Sequence, residues 1–493
     1  MSPSIVLRNA RLLGGDDLVD ISVVEGRVAA LSPAGEVDHG RVEALDLDAR
    51  IVTPGLWDEH LHFTQWTTTR SRLDLAGTTS ADDVLRRVRD ELARAGRAET
   101  EFLTGYGYRD GTWSSPTTLR ALDEVAGDTP VVLINGDLHS AWLNGAAASR
   151  VGVDLDETGV VSESRWFDAS QRVAAALPPT TAMFREAAEA AARRGIVGVV
   201  EFENADNLAH WPDRVAAGVD AVRVEASVWP VRLDDAIARG LRTGDRLDPT
   251  GLVTMGRLKV VVDGSLNTRT ALCWEPYPGA QHDGAGHGHG VATVTPAELR
   301  TLLTRASSAG IDASVHAIGD RANSEVVDVF ADLGLGGVIE HAQLVRADDF
   351  ARFAELGLVA SVQPEHAMDD RDVADRHWHG RTDRAFAFGS LHEAGVTLRF
   401  GSDAPVAVLD PWVAISAATS RSRDGRVPWH PEQRVPLDVA LAASMRGRIR
   451  PVVGDIADLA VLDADPYRLT ADELREMPVA ATLLGGRFTW NAL

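Results

Sequence analysis

Two histidines one residue apart, His60 and His62 in Asp58-Glu59-His60-Leu61-His62, are where metal chemistry could begin in this sequence. In extended chain, residues i and i+2 project to the same face, so both imidazoles can reach one ion. Three later blocks offer compatible groups: His316 in Ser314-Val315-His316-Ala317-Ile318-Gly319-Asp320, His341 in Ile339-Glu340-His341-Ala342-Gln343, and Asp403 in Phe400-Gly401-Ser402-Asp403-Ala404-Pro405. Lys259, in Leu258-Lys259-Val260-Val261-Val262-Asp263-Gly264, is the single lysine among 49 basic residues, so the other 48 are arginine. Arginine replaces a surface lysine at little cost, but guanidinium stays protonated and is a poor nucleophile. A lone surviving lysine is therefore either chance or a position that needs a primary amine. Two rival pairs, His287-Gly288-His289 and His377-Trp378-His379, lie in a glycine-rich run and in a charged loop. Each motif alone is weak, because a histidine at a strand end is most often a hydrogen-bonded structural residue. The set together is not weak.

The elements that would hold these residues repeat a strand-then-helix rhythm. Apolar runs with the look of buried parallel strands fall at 51–57, 196–202, 221–228, 257–262, 311–316, 337–340, 358–362 and 397–401. Helix-like stretches follow at Pro296 to Ser308, Ala322 to Leu333, Ala347 to Leu356 and Asp383 to Ala394. Eight strands with intervening helices predict an α/β fold, a (β/α)8 TIM-type barrel over 51–451. The candidate residues then sit on strands 1, 4, 5, 6 and 8, at or near the C-terminal ends where barrels carry their active sites. Short apolar runs broken by turn signals occupy both termini, and predict a small composite β-sandwich from 1–50 and 452–493. The span 63–180 exceeds one crossover and reads as a lid-like insertion after strand 1.

Composition narrows the function classes. The 493 residues carry 72 acidic side chains against those 49 basic ones, a formal net charge of −23. Such a chain repels phosphate backbones and anionic lipid, so no nucleic-acid or membrane partner is expected. The one cysteine, Cys273, forms no intrachain disulfide and no thiolate cluster. No apolar run reaches the ~18–20 residues of a membrane span, and the first residues lack the order of a signal peptide. The expected location is the cytoplasm and the expected partner a small-molecule substrate, with homo-oligomer formation left open.

The sequence resembles the amidohydrolase superfamily, more narrowly the amidohydrolase-3 group of YtcJ-like and N-substituted formamide deformylase-like proteins. The likeness rests on Val52 to His62, on Leu258-Lys259 with Asp263-Gly264-Ser265-Leu266 and Arg269-Thr270-Ala271, and on His316 to Ala322. It extends through Glu340-His341-Ala342-Gln343 and Ser402-Asp403-Ala404-Pro405-Val406, with His139-Ser140-Ala141-Trp142-Leu143-Asn144 inside the insertion. The resemblance implies a metal-dependent hydrolase with two divalent ions, zinc being the expected metal. His60 and His62 would hold the first ion, and His316 and His341 the second. Lys259, carboxylated by CO2 to a carbamate, would bridge the two in a binuclear centre, while Asp403 would complete the first site and act on the water. Carbamylation needs a neutral primary amine, which arginine cannot supply.

Two positions keep alternatives. Asp263 shares a strand face with Lys259 and could bind metal or cap a loop. Glu201-Phe202-Glu203, at the end of strand 2, offers carboxylates that read as hydrogen-bond acceptors for loop amides. In the insertion, Tyr106, Trp113, His139 and Trp142 suit either an apolar lid over the pocket or the insertion's own core; Trp113 and His139 are the expected substrate contacts. The leading function is hydrolysis of a C–N bond in an amide or formamide, catalysed by metal-activated hydroxide. A cyclic amide, ester or deaminase substrate, and a catalytically silent binding or regulatory role, are its rivals.

Overall fold

The computed structural model describes residues 4–36, 42–94, 102–108, 110, 113, 116–135, 140–176, 178–279 and 287–493, the side chains of Glu163, Ser164, Phe167, Ala174 and His287 excepted. Eight parallel strands form one sheet: β1 (Leu56–Leu61), β2 (Ile196–Glu201), β3 (Arg223–Val228), β4 (Val253–Val261), β5 (Ala313–Ala317), β6 (Val338–His341), β7 (Val359–Val362) and β8 (Thr397–Phe400). They pair in chain order, each parallel to the next. Leu61 bridges to Ala404 just past β8, and the Asp403 amide donates to the His60 carbonyl at 2.7 Å, which brings the last strand back to the first. The result is the expected α/β barrel. Its strands are buried on both faces, which is why they read as continuous apolar runs rather than alternating ones.

Two expected elements differ in an informative way. The run 51–57 is two strands broken at Gly55, where an added Cβ would lie 2.2 Å from the Val197 side chain. Ile51–Pro54 pairs antiparallel with Leu459–Leu462 in the terminal sheet, and only Leu56 onward enters the barrel. The helix expected over Asp383 to Ala394 is a short 3-10 turn at Thr382–Arg384 and a helix at Phe388–Glu393. Between them Ala385 bridges to Leu344 and the Phe386 amide donates to the Gln343 carbonyl, so the backbone is drawn out of helix.

Both termini contribute to a second eight-stranded sheet, which branches at Ile5–Leu12. Leu7, Ile21 and Val23 from the N-terminal strands share a core with Val461, Ala481 and Leu483 from the C-terminal ones. Thr64–Phe184 forms a separate compact unit around a five-stranded sheet with two apolar cores.

Candidate metal centre

The C-terminal ends of the barrel strands gather the candidate side chains. Asp58, His60 and His62 share the inward face by alternation on β1 and its extension. The Asp58 carboxylate accepts from the backbone amides of His60 (3.0 Å) and Ser402 (3.0 and 3.1 Å), tying β1 to the turn that carries Asp403. Gly401 is required there, since a Cβ would come within 2.6 Å of the His60 amide nitrogen. Asp403 itself adopts a left-handed backbone, φ +56°. Its Oδ1 lies 3.2 Å from His62 Nε2 and 3.5 Å from His60 Nε2.

His316 and His341 come from adjacent strands, with Ala317 paired to His341 in the ladder. Their rings sit 4.5 Å apart, and the His341 ring is 4.7 Å from that of His60. Outer partners fix which nitrogen of two rings is left for chemistry. His60 donates from Nδ1 to Glu340 Oε2 at 2.7 Å, and His341 donates from Nδ1 to Gln363 Oε1 at 2.8 Å, so each is left with Nε2. Glu340 is held on its other oxygen by the Ser314 hydroxyl. His316 Nε2 lies 3.4 Å from Asp263 Oδ1 but is buried without a hydrogen-bond partner.

Lys259 lies mid-strand on β4, opposite Ser314 and two residues below the level of His316. It is 2% exposed, and its Nζ makes no hydrogen bond, resting 4.2 Å from the centre of the Phe202 ring. Burial lowers the ammonium from 10.5 to about 8, against the pull of Glu340 and Asp403. Burial and the neighbouring cationic groups hold His60 and His341 well below the usual imidazole range and bring His316 to about 4. Burial opposes ionisation of Asp403, but the surrounding histidines hold its carboxyl well below the usual range. Burial acts against protonation of His62, but the Asp403 carboxylate raises its pKa, so the centre combines three imidazoles held neutral, one drawn toward protonation, one firmly ionised carboxylate and one desolvated amine.

Two trios have donor atoms within 4.8 Å of one another: His60, His62 and Asp403, and His341, His366 and Asp403. No thiolate competes, and the buried Nδ1 of His62, Nε2 of His366 and Nζ of Lys259 have no hydrogen-bond partner. Nitrogen and oxygen donors so arranged fit a divalent cation. The alternatives at two other carboxylates are decided by their partners. Asp263 accepts from the amides of Leu272, Ile318 and Gly319 at 2.8, 3.0 and 2.9 Å, as a loop cap does. Glu201 accepts from the amides of Phe63 and Glu203 and from the Trp211 indole.

The rival histidine pairs sit elsewhere. His289 Nδ1 is 3.3 Å from the Cys273 carbonyl, and His377 packs against the Tyr277 ring at 6.2 Å. In the inserted unit, Trp142 is fully buried and Trp113 packs against the same apolar core, its ring 5.6 Å from Tyr108. His139 lies outside the described residues. Sequence reasoning gave no role to Glu340, Gln363 or His366. Glu340 adjoins His341, and strand alternation would send the two to opposite faces; His341 has φ +71°, and that left-handed turn lets both reach the His60 ring. A polar Gln363-Pro364-Glu365-His366 run directly after a barrel strand was the available signal.

The profile of the amidohydrolase family matches residues 43–490, and the chain belongs to that family. Amidohydrolases are hydrolases, and among its relatives is the putative amidohydrolase YtcJ of Bacillus subtilis, 26% identical over 91% of this chain and 90% of that protein. N-substituted formamide deformylase of Arthrobacter pascens is also 26% identical, over 94% of each chain. A solved structure from Pyrococcus furiosus, described as an uncharacterized metal-dependent hydrolase, superposes with a TM-score of 0.77 at 25% identity, covering 94% of this chain and 100% of the other. The resemblance drawn from the motifs is thereby established for the family and for its YtcJ-like group.

Proposed function

We propose that this protein is a metal-dependent hydrolase that cleaves a C–N bond of amide or formamide type in a small organic substrate. The observation that carries the reading is the convergence of His60, His62 and Asp403 within 4.8 Å, beside His316, His341 and a desolvated, unpartnered Lys259. His60, His62 and Asp403 would hold one divalent ion, expected to be zinc. His316 and His341 would hold a second, with Lys259 as its CO2 adduct joining the two. Bound divalent ions would supply Lewis acidity and lower the pKa of a water toward neutrality.

The chain's own groups do the remaining work. Asp403, ionised and 3.2 Å from His62, would take the proton of the attacking water and return it to the leaving nitrogen. Glu340 and Gln363 hold the His60 and His341 rings in one tautomer and orientation. Asp58 fixes the turn on which Asp403 rides. Phe202 lies against both Lys259 and the His60 ring and supplies the low-dielectric wall that keeps the lysine amine available. The likeness to N-substituted formamide deformylase supports the C–N class.

The test is a panel of N-formyl, N-acetyl and cyclic amides assayed before and after chelation. Turnover that disappears on chelation and returns with a divalent ion is expected. Undiminished turnover in protein shown to be metal-free would overturn the reading.

A further inference from the structure

His366 is a fifth histidine at this centre, and none of the roles above uses it. It lies on a short helix, His366–Asp369, immediately beyond β7. It is 4% exposed, yet its Nε2 has no hydrogen-bond partner. Its ring is stacked nearly parallel to that of His341 at 6.5 Å, and it offers a nitrogen within 4.8 Å of donor atoms of His341 and Asp403. A buried polar atom without a partner is costly, by ~1–3 kcal/mol, so such an atom aimed at an active site is normally matched by what binds there.

His366 reaches the cluster from one turn beyond β7, with a nitrogen within 4.8 Å of donor atoms of His341 and Asp403. Gln363, at the end of β7, already meets His341 at 2.8 Å. His366 is one turn further along, its amide donating to the Gln363 carbonyl at 3.1 Å, so it stands on the mouth side of the histidine cluster. The turn is anchored from behind. Glu365 receives paired hydrogen bonds from Arg475, both 3.0 Å, and one from Arg423 at 2.7 Å. Bidentate arginine–carboxylate pairing fixes orientation as well as distance. A backbone turn anchored this way, carrying a buried nitrogen without a partner, is preorganised to meet a ligand.

We propose that His366 is a substrate-binding residue whose Nε2–H donates to the acyl oxygen of the substrate, or to the carboxylate oxygen of the product. This rests on the hydrolase reading above and adds to it a recognition element for the acyl half of the substrate.

The probe is acetate, the simplest product carboxylate, titrated calorimetrically into metal-loaded wild type, His366→Phe and His366→Asn, with metal content measured on each. His366→Phe should keep its full metal complement and bind acetate about tenfold more weakly, the worth of one lost hydrogen bond. His366→Asn, which retains an N–H donor, should recover part of the affinity and keeps the test alive if the phenylalanine variant fails to fold. Loss of a metal equivalent in either variant would make His366 a metal ligand and overturn the proposal. Equal acetate affinity in all three proteins, or none in any, would also overturn it. Wild type that binds no metal at all would instead bring down the hydrolase reading itself, a result read separately from the metal analysis.

Discussion

Replacing Lys259 tests the chemistry at its most specific point. With the amine lowered to about 8, far more of it is neutral near pH 7.4 than at the ordinary 10.5, and the neutral form is the one that captures CO2. Burial is the cause, opposed by the nearby Glu340 and Asp403 carboxylates, and Nζ rests against the Phe202 ring with no hydrogen bond. Lys259→Arg keeps the charge and most of the length but offers no neutral amine, so it should be as damaging as Lys259→Ala. Both should lose one equivalent of metal and fall below detectable turnover, with folding of each checked by circular dichroism. A lysine that served only as a cation would tolerate arginine far better than alanine. The direct assay is ¹³C NMR after labelling with ¹³C-bicarbonate. Because the chain has one lysine, a side-chain carbamate signal assigns itself, the N-terminal amine being the single competitor. A fully metal-loaded, active enzyme with no carbamate signal, or a Lys259→Arg variant with both metals, would refute the bridge.

Three further outcomes are expected. Asp403→Asn should fold and retain much of its metal while kcat falls by ~10²–10⁴, because an amide accepts no proton at neutral pH; near-normal kcat would move the proton transfer elsewhere. His60→Ala and His316→Ala should each lower metal content on elemental analysis, whereas His289→Ala, whose ring lies by the Cys273 carbonyl, should not; equal losses would mean the wrong histidine pair was assigned. Arg446→Met should destabilise the fold by about 3 kcal/mol in denaturant titration, since it takes from Glu59 its arginine partner at 2.7 Å and leaves Glu225, now met at 2.5 Å, with the more distant Arg257 at 3.7 Å. Burial resists ionisation of Glu225, but Arg446 lowers its pKa overall, so the pair's contribution is present above the unfolded carboxyl's pKa and is lost as pH falls through the folded value; acid sensitivity unchanged by Arg446→Met would remove that pair from the account.

Which of these residues the sequence could disclose depends on how far each one's placement is local. His60 and His62 were legible together because a strand has period two, and the barrel itself because parallel strands buried on both faces leave continuous apolar runs. The ends of strands β5, β6 and β8 were legible for the same reason. Parity fails where the backbone turns. Glu340 and His341 are neighbours, yet a φ of +71° at His341 lets both reach His60, and no periodicity forecasts a left-handed residue at a strand end. Gly55 likewise splits one apolar run between two sheets, a break imposed by the Val197 side chain from elsewhere in the chain.

The least legible features are those built by pairs far apart in sequence. Glu365 and Arg475 are 110 residues apart, Glu59 and Arg446 387 apart, and neither pair carries a motif. The motif residues supply donor atoms, but the orientation of those atoms is set by partners of this second kind: Glu340 behind His60, Gln363 behind His341, Asp58 beneath the Asp403 turn. The proton transfer proposed for Asp403 would need its oxygen held within hydrogen-bond reach of the reacting water, and small displacements there would be expensive in rate. A chain that kept all six motif residues and lost Glu340 or Asp58 would still look like an enzyme by its motifs, while its His60 ring or its Asp403 turn would be free to move. Activity at this centre is therefore a property of the outer carboxylates and amides as much as of the histidines that reveal it.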